Sequence, residues 1–263
     1  MVAGWPAFAG QLSGSDWSYL EEADVVLFGE VHDNPHHHIH QASAVVALEP
    51  AAIVFEHLTP ELASRITPEL IRNAARLESA LAWEDRGWPD FAMYYPIFAA
   101  ALDAAIFGGG VPPADARRAV EEGAESVFGG AAQIFQLERG YPMIVQAELE
   151  RLQQEAHCNA LPESSLPGMV EAQRLRDAAL ARATIAAHHE SVSRGGIGPV
   201  VVITGNGHAT KNWAVPYLLE ISAPDLKVVS VGQFEVAAPV DPGFDYWLVT
   251  GAPDRADPCA AFK

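Results

Sequence analysis

Val25-Val26-Leu27-Phe28-Gly29-Glu30-Val31-His32-Asp33-Asn34-Pro35 is the stretch whose reading decides the fold. Four apolar residues in succession, without alternation, predict a strand covered on both faces, as in a parallel sheet. Ionisable groups begin where the apolar run stops. Gly29 allows a positive φ or a close backbone approach, and Asn34-Pro35 reads as a helix N-cap followed by proline at the first helical position. Glu30 and His32 therefore fall in the turn beyond the carboxyl end of a strand, where open α/β sheets bind ligands.

Two further stretches repeat the plan. Val200-Val201-Val202-Ile203 runs into Thr204-Gly205-Asn206-Gly207-His208, a second Gly-x-x-His after an apolar run, and a helix through Trp213 and Leu218 is expected after it. Ile53-Val54-Phe55 ends in Glu56-His57. If these strands are neighbours, His32, His208 and Glu56 converge on one crevice. Two imidazoles and a carboxylate form a candidate divalent-metal or acid/base site, with Glu30 placed as general base and Asn206 as a donor to a developing oxyanion.

Elsewhere the pattern alternates between strands and helices. A helix is expected from Pro35 to about Leu48 with Ile39, Ala42 and Val46 on one face, and His36 and His40 stand one turn apart on it. Trp83 to Pro96 concentrates aromatic residues, a surface suited to a flat apolar ligand, with Tyr94 and Tyr95 as candidate phenolate ligands. Ala104 to Phe107 predicts a short strand, with Gly108 to Gly110 as a turn. Tyr141-Pro142 reopens a helix to about Glu155, and the longest helix is expected from Pro167 to about Ser193. On it Gln173, Arg176 and Asp177 share a face, where Arg176 can meet a carboxylate or propionate and Asp177 can orient a histidine. Strands at Leu226 to Val231 and Phe244 to Val249 complete an α/β architecture: a mostly parallel central sheet flanked by helices, with an antiparallel edge allowed and a helical insertion or lobe over its carboxyl edge. The expected organisation is a surface segment over residues 1–22 and a single domain over 23–263, with helical layers at about 58–100 and 113–195.

Composition bounds the function. With 49% apolar and 19% charged residues in 263, the chain is a folded globular one with a substantial core. Sixteen basic against 34 acidic residues give a net charge of −18, which excludes nucleic-acid binding. No run approaches the ~20 apolar residues that span a bilayer. No signal peptide or lipidation cysteine is visible near Met1, which points to the cytoplasm; a periplasmic or membrane-anchored location requires an additional leader. Cys158 and Cys259 are too few for a disulfide framework, and a single disulfide or two free thiols both remain open.

Gly29 to Pro35, together with Gly205-Asn206-Gly207-His208 followed by Trp213 and Val215-Pro216, resembles the ChaN-like family of iron-regulated haem-binding proteins. That family belongs to a superfamily with the Tiki proteases and erythromycin-esterase-like enzymes. The resemblance continues through His157-Cys158, Leu161-Pro162, Met169 to Gln173, Arg176-Asp177 and Asp257-Pro258-Cys259. It implies haem binding in iron acquisition, with an axial ligand among Tyr94, Tyr95 and the histidines, and a homodimer if haem lies across an interface. The acidic field opposes haem propionates, so such a site needs a local basic pocket. The wider superfamily implies the alternative, a metal-dependent hydrolase built on Glu30, His32, Glu56 and His208.

Overall fold

The computed structural model describes residues 10–13, 16–257 and 259–260. Much of the expected 1–22 surface segment lies outside the described residues. The chain divides into two compact units, one formed by Met1–Gly110 with Leu180–Pro253 and the other by Val111–Ala179 with Asp254–Lys263.

The first unit holds a seven-stranded sheet. Its strands are β1 (Gly10–Gln11), β2 (Val25–Phe28), β3 (Ala52–Phe55), β4 (Ala105–Gly108), β5 (Val200–Ile203), β6 (Val228–Glu235) and β7 (Tyr246–Thr250), in the spatial order β1-β7-β6-β2-β5-β3-β4. Every described pairing is parallel, so the antiparallel edge that the sequence allowed is absent from them. β2, β3 and β5 are buried at every position, which is why their sequences show no alternation.

Register turns these runs into a site. Phe28 pairs with Ile203, and Ile203 with Phe55, so three strands end level with one another. Whatever follows each of those residues must emerge side by side.

One expected face is corrected. The Pro35–Leu48 helix buries His37, His38, Gln41, Ala44, Val45 and Leu48, whereas Ile39 and Val46 are 56% and 66% exposed. Its buried face is half polar because the strand-end groups beneath it supply hydrogen-bond partners. In the aromatic run between Trp83 and Pro96, Trp83, Phe91 and Tyr94 are core, at most 2% exposed, while Trp88, Met93 and Tyr95 are half-buried; just beyond it Phe98 stacks on Phe55 with ring centroids 4.4 Å apart.

The second unit is helical, with Pro113–Glu122, Ala124–Phe128, Met143–Ala156 and the first half of the 28-residue Leu166–Ser193 helix. Glu171 on the long helix accepts from the Ala124 N–H at 2.8 Å, which satisfies a donor at the start of the Ala124–Phe128 helix. A Cβ at Gly168 would meet the backbone and side chain of Val120, so glycine permits close helix packing there. Cys158 and Cys259 form a disulfide across a sequence separation of 101, which settles the alternative left open by the sequence.

Candidate functional site

The level ends of β2, β5 and β3 deliver Glu30, Thr204-Gly205 and Glu56-His57 to one place. Glycine makes the approach possible: a Cβ at Gly29 would collide with Asn206 Oδ1, and one at Gly205 would stand 2.9 Å from His32 Nε2. Close approach, rather than a positive φ, is the reason for glycine at 29. Asn34 caps the following helix by accepting from the His36 N–H at 3.0 Å, with Pro35 at the first helical position.

Glu30 is the hub. It is 2% exposed, and its Oε1 accepts from His32 Nδ1 at 2.7 Å and the Tyr94 hydroxyl at 2.9 Å, while Oε2 accepts from Gln41 at 2.7 Å. His57 Nε2 stands 3.2 Å from Oε1 and His38 Nδ1 3.5 Å from Oε2. Burial pushes the carboxyl up, but the hydrogen bond from His32 and the imidazole of His57 outweigh it and hold Glu30 well below the usual carboxylate range.

Glu56 is the second anchor. Its Oε2 accepts from the Thr204 hydroxyl at 2.7 Å and the Gly205 N–H at 2.8 Å; its Oε1 faces His208 Nε2 at 3.3 Å and His32 Nε2 at 4.0 Å. Burial raises its pKa, and the positive influence of His208 and then His32 lowers it by more. His32 stands between the two carboxylates. Burial lowers its pKa, but Glu30 and Glu56 together raise it. The predicted trio of His32, His208 and Glu56 is thus brought together, with Glu30 orienting His32 from behind.

His57 escaped the sequence reading. The ring is fully buried between Trp88, Tyr94, His32 and Trp83, with centroid distances of 4.4, 4.6, 5.4 and 5.8 Å; Nδ1 has no polar partner, and Nε2 faces Glu30 Oε1 at 3.2 Å without the alignment of a hydrogen bond. Its signal was present as the imidazole directly after Glu56 at a strand end. Donor atoms of Glu30, His32 and His57 all lie within 4.8 Å of one another, close enough to hold a metal ion.

Other expected residues have different surroundings. Tyr94 is 0% exposed, and burial, then the charge of Glu30, push its phenol far above the ordinary tyrosine range. The Tyr95 hydroxyl donates to the Ile71 carbonyl at 3.1 Å. Neither phenol presents the open oxygen expected of a ligand. Asn206 pairs its amide with the Gln233 backbone, donating at 2.6 Å and accepting at 3.0 Å, like one more sheet residue. His37 accepts from the Val31 N–H at 2.9 Å and contacts the Thr250 hydroxyl at 3.0 Å; burial drives its pKa down to about 4. His40 faces the Gln233 amide oxygen at 3.0 Å, and His36 is exposed, so the helix-turn pair does not close on a shared ligand.

In the second unit Asp177 is buried at 1% exposure, while Gln173 and Arg176 are half-buried. Among the described residues no ion pair engages Arg176. The neighbouring Arg174 is buried; it donates to the Leu137 and Arg139 carbonyls, at 3.1 and 2.6 Å, and lies over the Tyr141 ring at 5.0 Å. That guanidinium pins the loop carrying Tyr141. Just beyond it, Met143 and Ile144 are 89% and 82% exposed. Sequence reading passed over Tyr141 as a helix start; the Tyr-Pro-Met-Ile order, apolar at the opening of a helix, was the available signal.

A family model described as haem-binding uptake, Tiki superfamily, ChaN, matches residues 17–219. Among solved structures the fold is similar to that of Campylobacter jejuni ChaN, described as showing cofacial haem binding, at 22% identity and a TM-score of 0.66 over 90% of this chain and 91% of that one. The type III effector HopBA1 is similar at 10% identity and a TM-score of 0.46, with the same coverage of each chain. Curated protein sequences contained no match.

Proposed function

Because the chain belongs to the ChaN family of haem-binding uptake proteins in the Tiki superfamily, we propose that it binds haem in iron acquisition, through the helical second unit. The observation that carries the placement is Tyr141, a tyrosine on a loop fixed by Arg174 and followed by two strongly exposed apolar residues. These residues fit haem. Tyr141 would offer a phenolate oxygen to the iron, Met143 and Ile144 an apolar face to the macrocycle, and Arg176 a charge to a propionate. Arg176 answers the demand for local positive charge in an acidic protein. When bound, haem supplies iron coordination; the chain supplies orientation and a desolvated face.

The structural relative's title speaks of cofacial haem binding. Applied to this chain, haem held against haem would pair two copies, and the exposed Met143-Ile144 surface favours such a homodimer. The Cys158–Cys259 disulfide favours an oxidising location such as the periplasm over the cytoplasm.

Haem titration of the purified protein, read by the Soret band, tests the assignment. Saturation at a whole-number ratio in the parent and loss of the band position and affinity in Tyr141→Phe, with Tyr94→Phe retaining both, is the expected result. Unchanged binding by Tyr141→Phe would move the ligand elsewhere.

A second reading rests on the ring nitrogens of His57, which make no hydrogen bond although Nε2 faces Glu30: a divalent metal held by Glu30, His32 and His57 in the first unit, with His208 and Glu56 adjoining. Metal content after exposure to Zn²⁺ or Mn²⁺ and desalting should approach one per chain and fall in His57→Ala. Metal retained equally by that variant would sink it.

A further inference from the structure

Among the described residues Arg174 is the only buried lysine or arginine, at 6% exposure on the Leu166–Ser193 helix. Its donors are engaged inside the second unit: Nη1 donates to Glu171 at 2.7 Å, and Nη2 donates to the Leu137 and Arg139 carbonyls at 3.1 and 2.6 Å. Its Cζ lies over the Tyr141 ring, 5.0 Å from the centroid. Five donors fixed in one plane let a guanidinium hold several oxygens and an aromatic ring together, which the compact ammonium of a lysine cannot do in one set arrangement.

Burying a charge is costly, and neutral donors can pin a loop. Holding the Leu137 and Arg139 carbonyls therefore does not by itself call for a cation. The ring supplies a reason for one. To ligate a ferric iron, Tyr141 must lose its phenolic proton to solvent and carry the negative charge on its oxygen and ring. In a chain of net charge −18 that new charge meets an unfavourable field. A desolvated cation against the ring offsets it, and attracts a phenolate more strongly than a phenol. Glu171 takes up part of the guanidinium charge through Oε1, while its Oε2 accepts from the Ala124 N–H at 2.8 Å.

We propose that Arg174 is the positioning residue of the haem ligand: it aims the Tyr141 ring, stabilises its phenolate, and so selects ferric over ferrous haem. The proposal rests on Tyr141 being that ligand. An anionic oxygen gains more from Fe³⁺ than from Fe²⁺, whereas a neutral phenol distinguishes them little. The oxidation state that the site accepts is thus set by a residue that does not touch the iron.

Titrations with ferric haem and with dithionite-reduced haem, on variants whose far-UV circular dichroism matches the parent, test the proposal. The parent should bind ferric haem the more tightly and show a phenolate-to-iron charge-transfer band. In Arg174→Met, ferric affinity should fall on the order of tenfold with ferrous affinity little changed. The band should also move to longer wavelength, because the donor orbital has lost its stabilising cation. Arg174→Lys, which keeps the charge, should recover most of the ferric selectivity. Glu171→Gln keeps the guanidinium and removes an opposing charge, so its band should move to shorter wavelength; this holds even if Arg174→Met does not fold. Equal loss of ferric and ferrous affinity in Arg174→Met overturns the proposal and leaves Arg174 a staple. So does a Glu171→Gln band that stays in place or moves to longer wavelength. Parental ferric binding by Tyr141→Phe removes the ligand assignment itself, whereas weakened binding there with unchanged selectivity in Arg174→Met overturns this proposal alone.

Discussion

The strand-end cluster of the first unit and the Tyr141 loop of the second are built on opposite principles. Around Glu30, five side chains within 3.5 Å converge on one buried carboxylate, and the groups brace one another. Around Tyr141, one buried arginine fixes a loop, and the side chains that follow it are left in solvent. A site whose polar groups, His57 apart, satisfy one another is mainly a matter of stability until a ligand enters; a site that leaves apolar surface uncovered bears its cost in the free state and recovers it on binding.

The largest effect should separate the two regions. Glu30→Ala strands the buried donors of Tyr94 and Gln41 and releases the half-buried His32, and a loss of about 3–5 kcal/mol in urea unfolding is expected, as when one partner of a buried charged pair is removed. Haem bound per folded molecule should not change; a parallel loss would show that the two regions act as one. Next comes the disulfide, which closes a separation of 101 residues within the second unit. Cys158→Ser/Cys259→Ser should cost about 2–4 kcal/mol, with hydrogen exchange rising first in the second unit. Exchange rising equally in the sheet strands would contradict that localisation.

Tyr141→Phe should be milder for the fold and severe for the ligand: less than about 1 kcal/mol in stability, and haem affinity lower by roughly 10- to 100-fold, about 1.4–2.7 kcal/mol. The last effect concerns pH. His37 titrates near 4 in the fold against an ordinary value near 6.5, so the unfolded chain binds the extra proton between those values. Its contribution to stability is complete above about pH 6.5 and falls as pH drops toward 4. His32, raised in the fold, opposes this by contributing below its unfolded value and losing that contribution as pH rises through its folded one. His37→Asn should flatten the acid limb of a Tm-against-pH curve; an unchanged limb would assign it to the carboxylates.

How much of this was legible can be argued residue by residue. Val25–Phe28, Ala52–Phe55 and Val200–Ile203 read as buried parallel strands because strands covered on both faces abandon alternation. His32, His208 and Glu56 read as neighbours because each follows such a run. The helix face of Ile39 and Val46 was misjudged because periodicity reports where apolar residues are, not which face meets a polar partner. Gln41 and His38 are buried since Glu30 and the His32 carbonyl lie beneath them. Tyr94 was one candidate ligand in the aromatic run, and its hydroxyl donates to Glu30.

By itself, then, the sequence determined an α/β protein with a parallel sheet, the strand ends where its ionisable groups gather, and its family. These follow from local rules: apolar runs, caps, and glycines beside chemical groups. The tertiary structure alone decided the strand order, the level register of Phe28, Ile203 and Phe55, the inclusion of His57, the Cys158–Cys259 bond, and the seat of Tyr141 on Arg174. Each joins residues far apart in the chain, or fixes which of several groups is buried. The free energy that chooses among them comes from desolvation and hydrogen-bond pairing between distant segments, which no local pattern encodes.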